Sequence, residues 1–549
     1  NTNSNLVFAA GNQLLNGAID ATGHTVQNTG ANLILTSIVS ITGAYAQGAA
    51  GTLSLTPGSG GLVVSGAATI AGTVLAGLSA TGNYTVASHT LVAGGSGSSY
   101  TGAVVGGGFT GLAAGLAADG SDNLLLTIGN DYVGASLASI VNTGTISGGN
   151  WAVFVANTGT LGTLLNQAGG VLGAFGVMVS GTLGTLGNQG TIAGDAVGVR
   201  VSGGVVGTLD NLSGGLISAR STALGVSGTV GTLSNSGTIR SSDGMGIKVE
   251  DSVGTLLNLS GGTITARSQA VVVVDTLGAL SNAGLISGQT NNAVRVIGTL
   301  GTLSNSGGIT ANYGVNIDVG ATVDALANLA AGTIAGTSNG VFVQGQLNTL
   351  DNAGVVVGDG VGVLVNGGTI LTLRNSGTLT AGGGTASALA IQNGGGVGTL
   401  VNTGVIRGFI NNSGASDLTI VGGTGATIGT LTGFGGDKGV LNAASANVVF
   451  ASGNQWLNDD VTFGGTQTIY NTGANLSLST IVSITGAYTQ GAAGTLSLTP
   501  GSGGLVVSDA ATVGGMVLAG LSVTGNYTVT SNTLVAGGGG SDYSAANLG

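Results

Sequence analysis

The chain has 549 residues, of which 112 are glycine, two are proline and none is cysteine; 42% are apolar, 4% aromatic and 5% charged, with a formal net charge of −11. That composition excludes a large aromatic-filled core and all disulfide or thiolate-metal chemistry, and leaves the redox compartment open. The nine cationic residues all fall between Arg200 and Lys438, which is not the dense basic footprint of a nucleic-acid binder. Mean hydropathy is positive, yet glycine, serine, threonine and asparagine break every long apolar stretch. Runs such as 270–274 are strand-length, short of the ~18 residues of a helical membrane span, so no transmembrane helix is expected. What this composition suits is a narrow core of small branched side chains repeated many times. The chain begins at Asn1 without Met or a signal peptide, as expected of a processed product or a window onto something longer.

Residues 1–130 read as the first copy of a long, β-rich, solenoid-like module. Residues 31–100 recur at 474–543 with an offset of 443, matching at 57 of 70 positions. The run 48–65 is identical to 491–508, and the two prolines, Pro57 and Pro500, fall at equivalent places in it. Similarity reaches back to Asn5-Leu6-Val7-Phe8 and Asn447-Val448-Val449-Phe450, there with an offset of 442. Self-similarity on this scale points to a tandem array, of which the chain holds one whole large repeat and the start of the next. A large repeat coiled throughout would hold about nineteen coils and rise about 90 Å.

Residues 131–412 carry a shorter repeat. An Asn followed by x-Gly or x-x-Gly, or at Asn328 by x-x-x-Gly, recurs at Asn142, Asn166, Asn188, Asn211, Asn235, Asn258, Asn282, Asn305, Asn328, Asn352, Asn375 and Asn402, at steps of 22 to 24 residues and a last step of 27. Before most of these stands a Thr-Leu or Ala-Leu pair, as in Gly231-Thr232-Leu233-Ser234-Asn235, and after them Gly-Thr-Ile or a variant, as in Gly237-Thr238-Ile239. About ten residues later comes a second apolar alternation, such as Ala152-Val153-Phe154-Val155 or Gly246-Ile247-Lys248-Val249. Period-two alternation denotes strands with one buried face. No unit of this length buries its apolar face alone, but stacked units do. The expected fold is therefore all-β: a parallel β-helix, or β-solenoid, with coils of 22–24 residues. The recurrent Asn would form a ladder along it, each amide bonding its neighbour's amide or backbone. Residues 413–446 read as an irregular β connection and 447–549 as the second, incomplete copy of the long module.

The long module carries a further pattern: Gly43-Ala44-Tyr45-Ala46-Gln47, Gly51-Thr52-Leu53-Ser54-Leu55, Leu62-Val63-Val64-Ser65-Gly66, then Ala67-Ala68-Thr69-Ile70-Ala71-Gly72. It resembles the conserved segment near the C-terminal end of type V autotransporter passengers, and the Asn-marked coils resemble the passenger β-helices of the same family. The resemblance implies a right-handed helix, secretion as an unfolded chain through a barrel, and folding on the outer surface of a Gram-negative bacterium. In the family this segment usually occurs once, ahead of the translocator barrel. Here it occurs twice, which favours a long fibre or giant adhesin.

Motifs that carry chemistry are sparse. Gly336-Thr337-Ser338-Asn339-Gly340 fits the nucleophile-elbow pattern, but in a chain this rich in glycine and serine it reads as a corner. The two histidines, His24 and His89, lie outside the Asn-marked coils. Gly537-Gly538-Gly539-Gly540-Ser541-Asp542 approaches a calcium-binding nonapeptide without its tandem repetition. Thr263-Ile264-Thr265 and Thr378-Leu379-Thr380 fall short of the regular columns of an ice-binding face. The best carboxylate cluster for a β-helical polysaccharide-processing enzyme is Glu250 and Asp251 beside Lys248, with Asp275 about one coil onward. The outward position of the second alternation forms a candidate contact stripe: Phe154, Met178, Arg200, Lys248, Arg295, Phe342 and Leu364. No catalytic residue, cofactor or metal site is expected. The reading is a non-enzymatic extracellular fibre or adhesin whose partners are copies of itself and a host or matrix glycan or surface, with a β-helical enzyme or a self-assembling filament subunit as alternatives.

Overall fold

The computed structural model describes residues 4–56, 60–76, 83–86, 89–106, 114–128, 131–133, 136–146, 151–173, 175–520 and 531–549. Pro57 and the expected boundary at residue 130 lie outside the described residues. The chain is all-β, and among the described residues the one helical element is a single 3-10 turn, Phe434–Gly436. It divides into two compact units, Asn1–Val230 and Gly231–Gly549, so the division falls within the stretch read as regular coils. Each unit is a parallel β-solenoid, as the repeat pattern predicts.

In the first unit, two parallel sheets run through residues 4–106. One contains Leu6–Phe8, Ile19–Asn28, Ile38–Gln47, Gly61–Val64 and His89–Ala93; the other contains Asn12–Leu14, Asn32–Leu35, Thr52–Leu55, Thr73–Ala76 and Val104–Gly106. Asn12 pairs with Asn32, and Asn32 with Thr52. The coils here are thus shorter than those of the Asn-marked region. The parallel order is interrupted where Asn123–Ile128 pairs antiparallel with both His89–Ala93 and Ala114–Ala118. The turn before Asn123–Ile128 is held by Asp119, whose Oδ1 accepts from the Ser121 and Asn123 amides at 2.9 Å each, while Asp122 takes φ +63°. A short carboxylate that bonds its own backbone two residues on, followed by a left-handed residue, is a stable reversal. The repeat pattern carries no signal for this hairpin.

From residue 136 onward each coil has three strands, such as Ser136–Asn142, Thr145–Ile146 and Val153–Val155. Each pairs with its equivalent one coil later: Asn142 with Asn166, Ile146 with Leu172, Phe154 with Met178. Side chains that alternate inward land on the same residue type in the next coil. Leu164, Leu186 and Leu209 stack in one fully buried column, and Leu172, Ile192 and Ile217 in another. Identical columns let one small cross-section serve every coil, which is the economy of a solenoid.

The second unit continues the same pattern from Thr238–Ser241, Met245–Val249 and Ser252–Asn258 to Phe409–Asn412. Its corners come in two lengths. The short form is Asn282-Ala283-Gly284, where a β-carbon on Gly284 would lie 2.1 Å from the Gly262 carbonyl oxygen of the coil before, so no larger residue fits. The long form is Asn258-Leu259-Ser260-Gly261-Gly262, in which Gly261 takes φ +82°, a conformation glycine adopts at no steric cost. Residues 413–446, expected as a connection, hold three strands, Leu418–Val421, Gly429–Thr432 and Gly439–Ala443, in parallel register with strands before and after. Their irregularity lies in the loops: Leu418 pairs with Val448, thirty residues on. The second copy of the long module then repeats the register of the first. Val448 pairs with Ile469 and Asn454 with Asn475, as Leu6 pairs with Val26 and Asn12 with Asn32.

Candidate functional site

The feature that recurs in every Asn-marked coil is a buried amide. Each such Asn ends a strand with its side chain turned inward, where a polar group must be bonded or penalise the fold. In the first unit, Nδ2 of Asn142 donates to Oδ1 of Asn166, Asn166 to Asn188, and Asn188 to Asn211, each at 2.8 Å. In the second unit, Asn235 donates to Asn258, and the chain of bonds continues through Asn282, Asn305, Asn328, Asn352 and Asn375 to Asn402 at 2.7 to 2.9 Å. The second Nδ2 hydrogen reaches a main-chain carbonyl one coil onward, as from Asn305 to Thr333 at 3.2 Å. At the end of the run, Asn402 donates to the Thr430 carbonyl at 3.1 Å. All twelve side chains are buried. Between the ends of these runs each amide therefore accepts from one neighbour and donates to the next in a single direction, an arrangement in which polarisation strengthens successive bonds.

The long modules carry their own version, which joins Tyr45 and Gln47 of the family-like pattern to Asn28, a corner the sequence analysis does not single out. Asn28 pairs in register with Gln47, and Asn471 with Gln490. The Tyr45 hydroxyl donates to Gln47 Oε1 at 2.9 Å, and Gln47 Nε2 donates to the Gly51 and Thr73 carbonyls at 3.2 and 3.0 Å. The second copy repeats this with Tyr488 to Gln490 at 2.8 Å, and Gln490 to Gly494 and Met516 at 3.1 and 3.0 Å. Burial drives both phenols far above their ordinary range. The Tyr-x-Gln element is thus a buried corner clamp in both copies. Its signal was present: Asn28-Thr29-Gly30 and Asn471-Thr472-Gly473 share the form of Asn142-Thr143-Gly144.

The outward stripe is a column in each unit. Phe154, Met178 and Arg200 are successive partners in the first. In the second the column runs Lys248, Val272, Arg295, Asn316, Phe342, Leu364. Arg200 is exposed, the other six candidate residues are half-buried, and Val272 and Asn316 are covered. Two of the cations are engaged by carboxylates: Lys248 with Glu250, and Arg295 with Asp318 Oδ2 at 2.6 and 2.9 Å through Nη2 and Nε. Aromatic rings gather beside the column, Trp151 against Phe175 at 5.7 Å and Tyr313 stacked on Phe342 at 5.6 Å. The stripe is thus apolar and aromatic, with two of its three cations held by adjacent carboxylates. Of the carboxylate cluster, Glu250 serves Lys248, whereas Asp275 is exposed and accepts from its neighbour Thr276 at 3.1 Å. Asp542 accepts from the Ser544 amide at 2.8 Å, which holds its carboxyl below the usual range.

One buried acid has no counterpart in the sequence reading. Asp459 is fully buried opposite Gly439, and neither carboxylate oxygen has a hydrogen-bond partner. Desolvation pushes its pKa up to about 7; the Gly439 amide tempers the rise without making a bond, and nearby Asp460 adds to it. Gln455 Oε1 is likewise buried without a partner.

Among the described residues, no group of three or more His, Cys, Asp or Glu is placed to hold a metal ion, and no helix is long and apolar enough to cross a membrane. Fold and side-chain columns together define the class: a tandem-repeat parallel β-solenoid threaded by buried amide ladders. Compared with family models and with curated proteins, the chain matches none.

Proposed function

We propose that this chain is part of an extracellular structural fibre or adhesin built of tandem β-solenoid repeats, acting through length, stiffness and contacts along its surface. The observation that carries the reading is the junction at 446/447. There the second copy of the long module joins the coils before it by parallel strand pairing, Leu418 to Val448 and Leu441 to Val461, so one large repeat follows another without a break in the hydrogen-bonded stack. Stiffness follows from main-chain pairing of each coil with its neighbours, and low surface charge weakens repulsion between adjacent molecules. The autotransporter-passenger resemblance supplies the location, the outer surface of a Gram-negative bacterium, and secretion through a barrel. The aromatic stripe around Tyr313, Phe342 and Leu364 is the surface offered to a glycan or to another copy.

The test is the natural protein's size and form. A species far above 51.8 kDa on a denaturing gel, with an axial repeat of about 90 Å by electron microscopy, is the expected result. A single-copy mass together with isolated compact particles would overturn the array.

A further inference from the structure

The duplicated module provides an internal comparison. Residues 5–16 and 447–458 are the same segment: Asn, five residues (Leu-Val-Phe-Ala-Ala or Val-Val-Phe-Ala-Ser), then Gly-Asn-Gln, an apolar pair and Asn. Both copies make the same bonds to the coil that follows. Thr29 N donates to Phe8 O at 2.9 Å as Thr472 N does to Phe450 O at 3.0 Å. Asn5 Oδ1 accepts from the Thr25 amide, and Asn447 Oδ1 from the Thr468 amide, at 3.0 Å each.

The two copies differ on their other edge. In the second copy, Val448, Phe450 and Gln455 are fully buried and Leu457 nearly so, because Leu418–Val421 and Gly429–Thr432 cover them. The covering strands bond along this edge: Leu418 N to Asn447 O at 3.0 Å, Gly422 N to Ser452 O at 2.8 Å, and Asn458 N to Leu431 O at 2.9 Å. In the first copy, the equivalents Leu6, Phe8 and Leu15 are only half-buried, Gln13 is exposed, and Val7 and Leu14 are 49% and 53% exposed. An apolar strand edge of this kind is a template for strand addition.

We propose that the edge formed by residues 5–16 receives a further copy of segment 413–446. That copy enters through the strands equivalent to Leu418–Val421 and Gly429–Thr432, in the register seen at 447–458. The occupant follows from the chain itself: the same sequence, in its other copy, is covered by this segment. Leu418 and Ile420 of the incoming copy then face Leu6 and Phe8, and Leu431 faces Leu15. This is the joint between successive large repeats, and it deepens the array reading on which it rests.

The experiment compares the full chain with one extended at its N-terminus by a copy of residues 413–446 joined directly to Asn5, as 446 is joined to 447. Hydrogen exchange is followed in peptides 5–16 and 447–458, which differ in mass. In the unextended chain, 5–16 is expected to exchange at least about tenfold faster than 447–458, since an open edge protects far less than a covered one. The extension is expected to bring 5–16 to the rate of 447–458, and Leu418→Asp with Ile420→Asp in the added copy to abolish that gain. A longer extension, a copy of 231–446, supplies a preformed core should the short one not order. Rapid exchange of 5–16 with both extensions overturns the proposal. The two readings fail separately: protection of 5–16 alongside a natural protein of single-copy mass keeps the edge and discards the array, whereas a natural array with 5–16 unprotected discards the edge.

Discussion

Replacing Asp459 by Asn should stabilise the second copy of the long module near neutral pH and remove a pH dependence that the native chain carries. Asp459 is buried with both oxygens unbonded, and its pKa in the folded state rises from 3.8 to about 7. A folded-state pKa above the unfolded value means that the folded form keeps its proton between pH 4 and 7, where the unfolded form has released it. Stability is therefore full below the unfolded pKa, falls as pH rises through that window, and is level above about 7. A shift of this size corresponds to about 4 kcal/mol. The charged groups nearby are Asp460, whose partner is Lys438 at 2.5 Å, and Asp437 in the preceding loop. Trp456 lies three residues away, and the chain's other tryptophan is Trp151, so in a Trp151→Phe background fluorescence reports unfolding at this place. Urea titrations from pH 4 to 8 should show the Trp456 transition moving to lower denaturant between pH 4 and 7. The Asp459→Asn variant should move little. Parallel pH profiles for the two proteins would refute the reasoning.

Asn305→Ala breaks the ladder at its middle, costing Asn282 an acceptor and Asn328 a donor; about 2–4 kcal/mol of local stability should be lost, read as faster hydrogen exchange in 276–282 and 322–328. Tyr488→Phe leaves Gln490 Oε1 buried without its 2.8 Å donor and should cost about 1–2 kcal/mol, again visible through Trp456. The Arg295–Asp318 pair is part-exposed, at 34% and 18%, so a double-mutant cycle should give a coupling of about 1 kcal/mol that shrinks in high salt. Gly284→Ala should destabilise its corner, because the added methyl meets the Gly262 carbonyl; thermal melts of this variant beside Gly261→Ala separate steric clash from backbone strain.

The coils were legible because period-two alternation and a nearly fixed Asn spacing are both one-dimensional records of a stacked object. Leu209 above Leu186, or Asn305 above Asn282, follows from counting residues. Other features depend on information that no period carries. The Asp119 turn comes from one carboxylate bonding two amides. Val272, in register between Lys248 and Arg295, is buried although its place in the column faces outward. Burial of Asp459 could not be read from a corner that looks, in sequence, like any other polar turn; in the first copy Gly17 stands in its place. Tyr45 and Gln47 were noticed for their resemblance to a family pattern, while their role as a clamp became visible only through the Asn28 and Asn471 corners.

The two corner lengths have a consequence for how such a chain changes over time. Asn258-Leu259-Ser260-Gly261-Gly262 carries two residues more than Asn282-Ala283-Gly284, yet Thr263 pairs with Leu285 and Asn258 with Asn282 as if both corners were equal. Added residues bulge outward and are invisible to the coils above and below. Insertions and deletions at these points are thereby uncoupled from the packing, so the outer face of the coils is free to vary in sequence and size while the interior stays fixed.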